Sequence, residues 1–154
     1  MKYLKTTIIV FMFTFLLLPI FFHYEADAAR RSEYVKVGLK YGSASVPSCT
    51  ITSEEGFLLG TAEDRDFEEG MPLPAYTKLV AANENGNIVL RDEQGTLLSA
   101  DLGASGCIMP YDYAENEDAI LYYEDTPYRD GIMLLAKSDG TMTVINYITL
   151  EHYV

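Results

Sequence analysis

The sequence has no tryptophan, two cysteines and two histidines, and its 11 basic residues are outnumbered by 23 acidic ones. Each shortage excludes something. A nucleic-acid binder needs a cationic face that displaces counterions from phosphates, and no such face can be assembled here. An anionic membrane surface repels the chain for the same reason. Of the two histidines, His23 falls near the N-terminus and His152 near the end. A Ser-His-Asp triad or a histidine metal site would rest on His152, a terminal and poorly held base. There is no Cys-x-x-Cys, so neither a redox motif nor a zinc site is expected, and no cofactor is implied. No glycine-rich phosphate loop is present, and Gly56 and Gly60 merely flank an apolar run. Beyond the first residues nothing carries a convincing helical period.

One long hydrophobic run is present. Lys2 and Lys5 precede an uncharged stretch from Thr6 to Phe22, and Ala26-Asp27-Ala28 follows it. A positive start, an apolar centre and an Ala-x-Ala end are the parts of a secretory signal, here cut after Ala28. Left uncut, residues 6–22 would anchor the chain in a membrane, with Pro19 against a stable spanning helix. Either way residues 29–154 are expected outside the cytoplasm, secreted or held on the outer face of the membrane. Cleavage removes Lys2, Lys5, Glu25 and Asp27, so the net charge of −12 is unchanged. In an oxidising compartment Cys49 and Cys107 could pair, closing a loop of about 58 residues. The alternative is two buried thiols.

The remainder reads as short strands. Val35, Val37 and Leu39 alternate with Lys36, Gly38 and Lys40, a half-buried strand. Cys49–Thr52 and Gly56–Gly60 look like the arms of a hairpin. The acidic stretch from Thr61 to Pro74 reads as a solvated surface loop; its calcium reading fails on spacing. Residues 77–81, 88–91 and 96–100 are separated by Asn-Gly and Gln-Gly turns, as in a meander. Residues 101–118 have no period. A strand follows at 119–123, and 131–137 and 141–148 flank Ser138-Asp139-Gly140, a hairpin turn. Thr149 could cap a short helix beginning at Leu150. The expected fold is therefore mostly β, hairpins and a meander in a small α+β domain. An N-terminal signal helix precedes it and the start of a helix ends it.

Five tyrosines, Tyr111, Tyr113, Tyr122, Tyr123 and Tyr128, crowd one region. Their rings can stack on sugar faces and their hydroxyls can hydrogen-bond, so they are candidate contacts for a glycan or a partner. The plainer reading is strand packing, since tyrosine favours strands. Glu151 is the one acid in a strongly apolar run near the end, where a first-turn helix glutamate is also expected.

Three segments together resemble one family. Val35-Lys36-Val37-Gly38-Leu39 resembles the opening strand of the stage II sporulation protein D (SpoIID)/LytB amidase-enhancer domain. Tyr128-Arg129-Asp130-Gly131-Ile132 resembles its Tyr-Arg-Gly element with Asp130 inserted. The stretch from Val144 to Val154, with Asn146, Leu150, Glu151 and Tyr153, resembles its Asn-x-hydrophobic-x-Leu-Glu-x-Tyr-Leu motif. The resemblance implies a sporulation or cell-wall protein whose partner is the glycan strand of peptidoglycan or a cell-wall hydrolase. Members include lytic transglycosylases and enhancers of amidases. In the family the catalytic glutamate lies in a Gly-Val-Val-Pro-x-Glu-Met-like motif directly after this stretch. The sequence ends before such a motif, and Glu151 matches the earlier, non-catalytic glutamate. The expectation is a truncated, non-catalytic member. A stand-alone extracellular module that holds a protein partner through the tyrosines or Glu63 to Glu69 is the alternative.

Overall fold

The computed structural model describes residues 33–63, 66–99, 102–116 and 118–154. The expected signal or anchor and its cleavage site lie outside them. Among the described residues twelve strands follow one another: β1 (Tyr34–Lys40), β2 (Ser48–Thr52), β3 (Phe57–Glu63), β4 (Asp66–Leu73), β5 (Lys78–Glu84) and β6 (Asn87–Arg91), then β7 (Leu97–Ser99), β8 (Ser105–Pro110), β9 (Ile120–Tyr123), β10 (Thr126–Arg129), β11 (Gly131–Ala136) and β12 (Met142–Thr149). A single turn of helix, α1 (Leu150–Tyr153), follows. The strands form two six-stranded antiparallel sheets, ordered β1-β12-β11-β8-β3-β4 and β10-β9-β2-β5-β6-β7. The mostly β expectation holds.

Alternation along each strand decides what meets between the sheets. Phe57, Leu59, Ile108, Ile132, Leu134, Met142 and Val144 of the first sheet pack against Cys49, Ile51, Leu79, Ala81, Ile88, Leu90, Leu121 and Tyr123 of the second. Each fully buried Ile or Leu among them contributes about 1.5–3 kcal/mol. The other face of the first sheet carries a second cluster: Leu58, Cys107, Met109, Met133, Ile145 and Tyr147. Tyr34 lies on Tyr147 in a near-parallel stack, ring centroids 4.3 Å apart.

The first strand alternates as expected, with Lys36 and Gly38 exposed and Val35, Val37 and Leu39 half-buried. The meander is β5–β6–β7, turning at Asn85-Gly86 with both residues at positive φ. The hairpin of β11 and β12 is present in the expected place.

Four expectations need correction. Residues 49–52 and 56–60 are not a hairpin: β2 pairs with β5 and β9, whereas β3 pairs with β4 and β8. The Ser53–Gly56 link carries the chain from one sheet to the other. The acidic stretch is mostly strand, because β4 needs only backbone pairing to β3 and leaves Asp66, Glu68 and Glu69 in solvent. Charged side chains at a sheet edge also discourage pairing with other chains. Its approach to β3 depends on Gly60, where a Cβ would collide with the Glu68 carbonyl and the Phe67 ring. The thiols of Cys49 and Cys107 are free and buried. Cys49 faces the inter-sheet core and Cys107 the outer cluster, so the disulfide that their number allows is not formed. Thr149 does not cap α1 with its side chain. That hydroxyl is bonded to Asp130 instead.

Candidate functional site

Beyond β8 the chain turns back over the first sheet. Tyr111 N–H donates to the Gly56 carbonyl at 3.1 Å, and the Asp112 carbonyl accepts from Glu115 and Asn116 N–H, both at 2.9 Å. This turn stands beside β4, and a groove of about 390 Å³ opens between them. Leu58, Gly70 and Pro72 form its floor, Tyr111 and Tyr113 its aromatic walls, and Glu69, Asp112 and Glu115 its charged margin. Among the described residues no basic side chain lines it.

The groove is held by its own hydrogen bonds. Tyr113 donates its hydroxyl proton to Glu69 Oε1 at 2.7 Å, and its ring meets Phe67 edge-on at 5.6 Å. Burial, then the bond to Glu69, pushes the Tyr113 phenol well above its ordinary range, so it stays a donor. One Asp112 oxygen accepts from Asn116 Nδ2 at 2.8 Å. The other is buried and has no hydrogen-bond partner. Asp112 also lines a neighbouring cavity of about 150 Å³ with Ser53, Glu54, Glu55, Asp118 and Tyr122. At its rim Arg129 pairs with Asp118 at 2.8 Å. Among the described residues no three His, Cys, Asp or Glu side chains converge as a metal set would.

The five candidate tyrosines therefore divide. Tyr111 is exposed and Tyr113 half-buried, both in the groove; Tyr122 lines the neighbouring cavity. Tyr123 is buried in the core between the sheets, and Tyr128 packs against that core, their rings edge-on at 6.4 Å. Strand alternation separates Tyr122 from Tyr123, while the pairing of Tyr128 with Leu121 turns it inward.

The residues that carry the family resemblance meet at the far end of β12. Asn146 is buried and donates through Nδ2 to the Arg129 carbonyl at 2.9 Å and the Gly131 carbonyl at 3.0 Å. Between those two carbonyls Asp130 has φ 58°, a left-handed conformation uncommon outside glycine. Its carboxylate accepts from Thr149 N–H at 2.7 Å, from Thr149 Oγ1 at 3.1 Å, and from His152 Nδ1 at 3.0 Å. Leu150 N–H donates to the Glu33 carbonyl at 2.7 Å. His152, expected to be poorly held, is thus fixed by Asp130. This arrangement fastens α1 to β1 and the β10–β11 corner. Glu151 and Tyr153 are exposed and line neither cavity.

Asp112 and Asp130 were not singled out from the sequence. Asp112 stands between two tyrosines in a stretch without period, and nothing local marks its buried oxygen. Asp130 looked like an insertion into a motif, and its role needs partners distant in the chain. No family model, curated protein or solved structure matches the chain.

Proposed function

We propose that this is an exported cell-envelope protein of the SpoIID/LytB type that associates with peptidoglycan and acts by binding rather than by cleavage. The observation that carries the proposal is the direct bonding of matched residues in the two resembling segments: Asn146 donates to the carbonyls of Arg129 and Gly131. Scattered chance matches have no reason to fall on residues that hold one another. Their work here is structural: they set the corner from which α1 departs. The binding surface is the groove of Tyr111 and Tyr113. Exposed aromatic walls suit the apolar faces of sugar rings, and the hydroxyls and carboxylates around them suit polar substituents. A catalytic acid works from a pocket that shields it from water, whereas Glu151 stands in solvent.

Retention of the purified protein on isolated peptidoglycan sacculi tests the reading. The protein should co-sediment, and Tyr111→Ala should weaken retention several-fold while leaving the circular dichroism spectrum unchanged. Absence of co-sedimentation at low salt would overturn it. The reading as a stand-alone module for a protein partner draws on the acidic margin of the groove, and recovery of a basic protein with no binding to sacculi would favour it.

A further inference from the structure

We propose that Asn85 is a latent modification site, held back from deamidation in the folded protein by the side chain of Asn83. The reaction needs no enzyme. The Gly86 amide nitrogen loses its proton and attacks Asn85 Cγ. A C–N bond forms there, the side-chain amide leaves as ammonia, and water opens the cyclic imide to aspartate or isoaspartate. A glycine after the asparagine leaves the attacking nitrogen unhindered, since it carries no side chain. Asn85 is exposed, and with Gly86 it forms the tip of the β5–β6 hairpin, so water and room are both at hand.

The restraint is a hydrogen bond on the attacking nitrogen. Gly86 N–H donates to Asn83 Oδ1 at 2.9 Å. Asn83 is itself held from the other sheet: its Nδ2 donates to the Lys137 carbonyl at 2.8 Å and to the Thr141 carbonyl at 2.7 Å, the two residues that flank the β11–β12 turn. These partners fix which end of the amide faces Gly86, because carbonyls need donors and an N–H needs an acceptor. The proton that must leave first is therefore bound. The left-handed backbone of Asn85 and Gly86, φ 57° and 86°, is set by the pairing of Glu84 with Asn87 on either side. Loss of that same proton is how the Gly86 amide exchanges with water, so deamidation and exchange should rise and fall together. Asn83 ties both to the contact between the two turns: when the turns part, Asn83 is released, then Gly86, and the site opens. Isoaspartate adds a main-chain atom to a two-residue turn whose length sets the register of β5 against β6, so the modified turn no longer fits.

Incubation of the purified protein at pH 8, with the amide-to-acid mass gain at Asn85 followed by peptide mapping, tests the proposal. Deamidation should be about tenfold or more slower in the folded protein than in the chain unfolded in guanidinium chloride, since a hydrogen bond must break first. Asn83→Ala should recover most of that difference while the circular dichroism spectrum stays native, and Gly86 amide exchange, read by NMR, should quicken with it. The unaltered protein supplies a reading that survives a misfolded variant: its Gly86 amide should exchange far more slowly than an unstructured one. Equal deamidation in folded and unfolded chains, an unprotected Gly86 amide, or a folded Asn83→Ala protein that is no faster at Asn85 overturns the proposal.

Discussion

Replacing Asn146 by alanine should cost the domain about 2–4 kcal/mol. Asn146 is only 6% exposed, and its one amide nitrogen serves two carbonyls, those of Arg129 and Gly131. Two hydrogen bonds contribute about 1 kcal/mol each, and a carbonyl left buried without its donor adds about 1 kcal/mol or more. The same two bonds bracket Asp130, whose left-handed backbone costs roughly 1 kcal/mol and persists only while its neighbours hold it. For a domain of this size, about 3–6 °C of midpoint is lost per kcal/mol, so the fall should be roughly 6–24 °C. Thermal melts followed by circular dichroism, with urea titration for the free energy, measure it. Asn146→Asp separates hydrogen bonding from volume. It keeps the shape, but an ionised carboxylate donates nothing and faces two carbonyl oxygens, so it should be at least as damaging as alanine. A loss below about 1 kcal/mol for Asn146→Ala, or a milder effect for Asn146→Asp, refutes the reasoning.

Gly60→Ala should detach β4, because the new methyl meets the Glu68 carbonyl and the Phe67 ring; hydrogen exchange should then quicken at the β4 amides while β11 and β12 keep their protection. Burial raises both thiols to about 12, so Cys49 and Cys107 are neutral at pH 8 and should resist iodoacetamide until the protein unfolds; fast alkylation of the native state contradicts the buried placement. Asp139 is lowered to about 2 from 3.8, first by the Thr141 hydroxyl and then by Lys137. A depressed folded-state value stabilises above the unfolded value, and that contribution disappears as pH falls through about 2. Asp139→Asn should therefore lower the melting temperature slightly at pH 7 and by clearly less near pH 2; an equal loss at both would assign the effect to something other than charge.

Where one face of a strand is wet, as in β1, alternation made the element plain in the sequence. Turn chemistry did the same for Asn85-Gly86 and for Ser138-Asp139-Gly140. The centre of the first sheet was hidden because β8 is buried on both faces, with Cys107 and Met109 on one side and Ile108 on the other. Such a strand has no polar phase to read. The β9–β10 hairpin was hidden for another reason: its turn residues, Glu124 and Asp125, adopt positive φ without a glycine to announce it. The acidic edge β4 has only a broken apolar phase, Phe67, Met71 and Leu73 interrupted by Glu69. Of the site, the tyrosines were legible as a group, but their division was not. Tyr111 and Tyr113 border a groove only because β4 stands across from them, and the sequence had made β4 a loop. The contacts of Asp130 depend on residues 149 and 152, pairings that no local pattern encodes.

The pairing of β1 with β12 sets an order of events. Tyr34 lies opposite Thr149 and Val37 opposite Asn146, so the earliest strand of the sheet has no strand neighbour until the last is made. A chain emerging from its N-terminal end can zip β5, β6 and β7 at once, since those contacts are local. The pairing of β1 in the first sheet must wait, and such distant closures are slow. During that interval β1 presents unpaired backbone and three apolar side chains. A chaperone, or a channel that delivers the chain extended, would find its natural substrate in that segment.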